Sequence, residues 1–128
     1  MRLLFITQDF PPGIGGIQTY SAEYASRLSR WCGDFLLICP HDHEADDLQA
    51  EREVDDTAYD FDIHRIEVRS HLLFYPLARV LPKLLNQRRF DASFHAQWQT
   101  VAPALRARRR GELKRVFVAA HARELLYN

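Results

Sequence analysis

The residues best suited to chemistry lie in one stretch: Thr7-Gln8-Asp9-Phe10-Pro11-Pro12-Gly13-Ile14-Gly15-Gly16-Ile17-Gln18-Thr19-Tyr20. Glycine has no Cβ, so it lets another group come close to the backbone. The apolar run Leu3-Leu4-Phe5-Ile6 before the stretch reads as a buried strand. Ile17, Tyr20, Tyr24, Leu28 and Trp31 after it fall on one face at helical spacing. The glycines therefore fall where a strand turns into a helix. The first amides of a helix lack internal partners and carry the positive end of its dipole. Gly15, Gly16 and Gln18 are thus expected to form a seat for a phosphate; the competing reading is a tight strand-to-helix turn with no ligand. The stretch departs from a dinucleotide fingerprint, because the last glycine of Gly-x-Gly-x-x-Gly, counted from Gly13, falls on Gln18. It holds no lysine, which a P-loop requires.

Two histidines follow short apolar strands. His95 precedes Ala96-Gln97-Trp98, and its expected role is to bind or orient a hydroxyl with help from Gln97. The competing reading of His95 is a strand-end histidine packed against the next helix. His121 follows Val116-Phe117-Val118-Ala119-Ala120, and Ala122 leaves room beside it. An imidazole titrating near neutrality can donate or accept a proton, so His121 is the candidate catalytic residue. Glu124 could accept its proton or cap a following helix. His41-Asp42-His43-Glu44 has metal-ligating types, but no partner cluster at fixed spacing accompanies it, so no metal is expected.

The elements that must position these groups follow from pattern and punctuation. Strand one spans Arg2 to Thr7 and helix one Ile17 to Trp31, with Gly33 as its left-handed stop. Strand two is Phe35 to Cys39, ended by Pro40. Residues 41–60 read as an acidic loop, with a short helix near Asp46 to Glu53. Asp62 to Val68 alternates and reads as an edge strand. Helix two runs from Phe74 to Gln87, with Pro82 marking a kink or its true start. Strand four is Phe90 to His95. Helix three runs from Gln97 to Arg110, with Trp98, Val101 and Leu105 inward and Gly111 as its stop. Strand five is a buried run from Lys114 to Ala120. Strands separated by helices imply right-handed crossovers and parallel pairing. The expected fold is α/β: a Rossmann-like open parallel sheet of about five strands, order 3-2-1-4-5, with helices on both faces. Such sheets bind ligands at the carboxyl ends of their strands, where the strand order reverses.

Charge is balanced overall but not along the chain. Asp42 to Asp62 holds ten acids and one base, Arg52. Residues 63–128 hold thirteen Lys and Arg against four acids. Arg79, Lys83, Arg88 and Arg89, next to the apolar His71-Leu72-Leu73-Phe74-Tyr75, offer a surface for peripheral contact with anionic lipid; the competing reading is core leucines and solvated bases. No run of about 18 apolar residues is present to span a bilayer. Cys32 and Cys39 read as buried thiols in a reducing cytoplasm rather than a disulfide framework. No nucleic-acid partner is expected.

Phe10-Pro11-Pro12 followed by Gly15-Gly16-Ile17-Gln18-Thr19-Tyr20 resembles the opening of a family 4 glycosyltransferase, one of the "group 1" transferases. Asp91 to Trp98 is similar to the family's Asp-x-x-x-His-x-x-Trp segment. His121-Ala122-Arg123-Glu124-Leu125 is similar to its His-Gly/Ala-x-Glu-Leu segment. The resemblance implies the GT-B architecture, two Rossmann-like domains around a cleft. The first domain holds a glycan or lipid-linked acceptor, and the second binds the nucleotide-sugar. It implies transfer of a sugar with retained configuration, without an obligatory metal or other cofactor. Gly15 and Gly16 would approach the donor diphosphate or the acceptor, and His121 the reacting sugar. On this reading residues 1–128 form a partial N-terminal, acceptor-side domain. The donor domain is missing, and the chain alone is expected to be inactive. Two other classes compete: a nucleotide- or NAD-binding Rossmann module, and a non-enzymatic α/β interaction domain.

Overall fold

A computed structural model describes residues 1–13, 15–41 and 56–119. The regular elements among them are β1 (Arg2–Ile6), α1 (Gly16–Ser29), β2 (Asp34–His41), β3 (Asp62–Glu67), α2 (Phe74–Gln87), β4 (Ala92–His95), α3 (Val101–Arg109) and β5 (Arg115–Val118). Single 3-10 turns occur at Asp56–Ala58, Ser70–Leu72 and Trp98–Thr100. The strands form one five-stranded sheet of order β3-β2-β1-β4-β5, with every pair parallel. This is the Rossmann-like α/β arrangement that the sequence predicts. The expected helix near 46–53 lies outside the described residues.

β1 is apolar along its length because it is the central strand and both its faces are covered. Leu4 and Ile6 point to one layer, where they join Leu36, Ile38, Leu77, Leu81, Leu85, Ala104 and Ala107 from β2, α2 and α3. Leu3 and Phe5 point to the other, with Phe35, Leu37 and Cys39 of β2 and Ala25 of α1. Each large side chain buried this way contributes about 1.5–3 kcal/mol.

α2 has the expected bounds, and Leu77, Leu81 and Leu85 bury one stripe of it. The helix runs through Pro82. Gly111 ends α3 with φ 76°, a left-handed conformation that glycine adopts without steric cost. Gly33 does not play that part for α1: its φ is not positive, and its N–H reaches back to the Met1 carbonyl at 3.0 Å.

The helix faces do not follow the apolar spacing. In α1 the buried residues are Ser21 and Ala25. Trp31 is 84% exposed beyond the helix end, and Tyr20 and Tyr24 lie at its exposed flank. Their rings stack at 5.4 Å, and Tyr24 reaches Phe94 of β4 at 5.1 Å. In α3 the inward residues are Pro103, Ala104 and Ala107, while Trp98 and Leu105 are exposed. Small side chains let both helices sit close to the sheet, which moves the bulky ones to the flanks. β5 is not buried: it pairs with β4 alone among the described residues, and Phe117 and Val118 are exposed. Cys39 is buried within β2 and Cys32 is half-buried after α1; both are free thiols. Among the described residues no helix is long and apolar enough to cross a membrane.

Candidate functional site

The strand order reverses at β1, with β2 and β3 on one side and β4 and β5 on the other. Beyond Ile6 the chain therefore leaves the sheet at the position where parallel α/β sheets take ligands. Thr7, Gln8 and Asp9 occupy it. Thr7 still bonds the sheet, its N–H donating to the Ile38 carbonyl at 3.0 Å. Its hydroxyl lies 3.1 Å from that of Ser21, which fastens the strand end to α1.

Gln97 arrives from the end of β4 and is buried. Its Oε1 accepts the Gln8 backbone N–H at 2.9 Å, and its Nε2 donates to Asp9 Oδ2 at 3.2 Å. Gln18, in the first turn of α1, directs its Nε2 to Asp9 Oδ1 at 3.5 Å. Burial raises the Asp9 carboxyl above its ordinary pKa. From β3, Arg65 donates to both carboxylate oxygens of Asp56 at 2.8 Å and to the Pro11 carbonyl at 2.7 Å. Its guanidinium lies 5.8 Å from the centre of the Phe10 ring. These groups enclose a recess of about 70 Å³, open on one side, lined among others by Gln8, Asp9, Pro12, Gln18 and Arg65. The Gln8 amide nitrogen is closed to solvent and has no hydrogen-bond partner among the described residues.

Gly15 caps α1 with φ 156° and ψ 171°, a combination open in practice to glycine alone. No side chain caps the helix and no acid lies in its first turn. Gly16 is exposed, and a Cβ there would meet nothing within 4 Å.

The structure brings together Gly15, Gly16, Gln18 and Gln97 of the predicted site, but it gives Gln97 a positioning role, clamping the β1 end. His95 is turned into the core and is fully buried. Its Nδ1 lies 2.8 Å from Thr100 Oγ1 and its Nε2 3.0 Å from Ser93 Oγ. Thr100 Oγ1 donates to the Gln97 carbonyl, so it accepts from His95 Nδ1–H, and Nε2 accepts from Ser93. Burial lowers the His95 pKa to about 4, so the ring stays neutral. The packed reading of His95 is the one the structure supports. Arg88 is also engaged: it forms a two-pronged pair with Asp34, reaches Asp62 at 3.5 Å and lies over Phe90. Arg79, Lys83 and Arg89 are exposed. Leu73 of the supposed apolar lipid contact is core, and Tyr75 is exposed.

His121, Glu124 and the run Asp42-His43-Glu44 lie outside the described residues; His41 is the last residue of β2. Among the described residues no group of three or more His, Cys, Asp or Glu converges as metal ligands would.

Gln8, Asp9 and Arg65 lie in the site without being predicted for it. The first two had a legible signal, polar residues directly after a buried strand. Arg65 had none, since it is one base in an alternating edge strand. Searches against protein-family models and against curated proteins found no match to the chain.

Proposed function

We propose that this chain is the acceptor-side domain of a retaining glycosyltransferase that moves a sugar from a nucleotide-sugar to a hydroxyl acceptor, a glycan or a lipid-linked glycan. The observation that carries this reading is the site at the strand-order reversal. There a glycine-opened, uncapped helix start stands beside the half-buried carboxylate of Asp9. Positive helix ends favour a diphosphate leaving group, and a desolvated carboxylate can hold or orient an acceptor hydroxyl. In this proposal Gly15 and Gly16 admit the diphosphate, His121 stands by the reacting sugar and Glu124 supports it. No metal or other cofactor is required. The enzyme works in the cytoplasm, and Tyr75, Arg79 and Lys83 give α2 an outer stripe for anionic lipid.

The test uses the polypeptide encoded by the full reading frame that contains this chain. UDP-glucose, UDP-N-acetylglucosamine and GDP-mannose are supplied with and without glycan or lipid-linked acceptors, and nucleoside diphosphate is measured. Acceptor-dependent release is expected. NAD binding without any such release would replace this reading with that of a dinucleotide module.

A further inference from the structure

β4 and the turn after it bury three polar side chains, Ser93, His95 and Thr100, where an apolar layer would pack as well. Replacing a bonded buried pair by apolar groups of similar shape is close to neutral for stability. The network needs a reason other than stability, and direction supplies one. Ser93 Oγ faces His95 Nε2 at 3.0 Å, and His95 Nδ1 faces Thr100 Oγ1 at 2.8 Å. A threonine hydroxyl has a single proton. Thr100 donates it to the Gln97 carbonyl at 3.2 Å, which leaves Thr100 Oγ1 to accept from His95 Nδ1–H. Gln97 is thus held by its backbone while its side chain reaches outward. Its Oε1 accepts the Gln8 N–H at 2.9 Å, and its Nε2 donates to Asp9 Oδ2 at 3.2 Å.

We propose that His95 is a positioning residue for Asp9: in its Nδ1–H tautomer it locks the Thr100 hydroxyl onto the Gln97 carbonyl, and Gln97 in turn aims the Asp9 carboxylate. The chain of bonds runs from the sheet interior to the strand-order reversal. It carries direction and not protons, because one of its links is a backbone carbonyl. The placement of Asp9 holds for any ligand at that edge and does not rest on the transferase reading. Burial suits the imidazole to this part, since a ring that stays neutral keeps one donor and one acceptor. A phenyl ring would fill the space and aim nothing.

NMR on the whole chain tests this. In the wild type at neutral pH, ring nitrogen shifts should show His95 Nδ1 protonated and Nε2 bare. Two variants then separate direction from packing. An Asn amide nitrogen lies as many bonds from Cβ as Nδ1 of histidine, and a Gln amide nitrogen as many as Nε2. His95→Asn therefore keeps the donor toward Thr100, and His95→Gln moves it toward Ser93. In His95→Gln the Gln8 amide should exchange about tenfold faster, with smaller changes at Leu4 and Ile6 of β1. In His95→Asn the Gln8 amide should stay within about threefold of wild type. Thr100→Val keeps the shape and loses the hydroxyl, so it should repeat the Gln8 effect and decides the matter if a position-95 variant does not fold. The Asp9 carboxyl should titrate about half a unit or more higher in His95→Gln and Thr100→Val, because a donor to its charged form is loosened. A merely structural role would speed Gln8, Leu4 and Ile6 together. An Nε2–H ring in the wild type, equal acceleration at all three amides, Asn as disruptive as Gln, wild-type exchange in Thr100→Val, or an unmoved Asp9 titration would overturn the assignment.

Discussion

Gln97 and Asp9 are separated by 88 positions in the sequence, yet the amide of one donates to the carboxylate of the other at 3.2 Å. The same Gln97 side chain accepts the Gln8 backbone N–H. One buried amide thus ties the end of β4 to the loop leaving β1 and fixes the direction of the site carboxylate.

Gln97→Leu strands the Gln8 N–H and removes a donor from Asp9. Unfolding in urea should show a loss of about 1–3 kcal/mol. Unchanged stability would mean that water replaces both bonds and that the clamp is dispensable.

The two glycines should respond in opposite directions. A Cβ on Gly15 would fall 2.5 Å from Gln18 Oε1 on a backbone conformation that L-residues avoid. Gly15→Ala should therefore cost on the order of 1–3 kcal/mol. Gly16 begins α1 in open space, so Gly16→Ala should be neutral or stabilising by up to about 1 kcal/mol. On the proposed transferase reading, Gly16→Val in the full polypeptide should reduce transfer far more than it reduces Tm. Proportional losses would confine Gly16 to the turn.

His95 makes stability pH-dependent with a definite sign. Its folded pKa is lowered to about 4 by burial, below the unfolded value of about 6.5. The unfolded chain then binds more protons in that window, so stability is full above pH ~6.5 and declines toward pH ~4. The limit is on the order of 3 kcal/mol. His95→Gln should flatten the curve relative to wild type over this interval. Identical slopes would show that the ring is charged in the fold.

Arg88 and Arg79 separate structure from lipid contact. The Arg88 hydrogen bond lowers the Asp34 carboxyl pKa, so their pairing persists above the ordinary carboxylate range and fades as acid is added. Arg88→Gln should lower stability by up to about 1 kcal/mol and leave vesicle binding unchanged. The Arg79→Gln, Lys83→Gln double variant should do the reverse. Co-sedimentation with anionic vesicles should fall in that variant and with added salt, each base contributing about 1 kcal/mol. Wild-type protein that stays in the supernatant at low salt would remove the membrane from the proposal.

The sheet order was legible because apolar runs, glycines and prolines alternate in a way only crossover connections satisfy. The bounds of α2 were legible because Leu77, Leu81 and Leu85 repeat every fourth residue. The buried faces of α1 and α3 were not, since Ser21, Ala25, Ala104 and Ala107 carry little hydrophobic signal and Tyr20, Tyr24 and Trp98 carry much. Close packing rewards smallness at the contact, which a ranking by hydrophobicity inverts. The glycine turn announced the site's position. Its polar content was hidden, because Asp9 meets Gln97 from 88 positions away and Arg65 meets Pro11 from 54 positions away, and composition does not reveal which base is already engaged.

The two thiols sit at unequal depth, and burial pushes Cys39 up to about 12 while Cys32 stands half-open past the first helix. An alkylating reagent therefore meets two clocks in one molecule. The fast one reads encounter with a surface thiol. The slow one advances only when β2 parts from its neighbours, so its rate counts openings of the sheet centre without any dye or engineered label. Ligand seated beside Asp9 would slow the second clock and leave the first running.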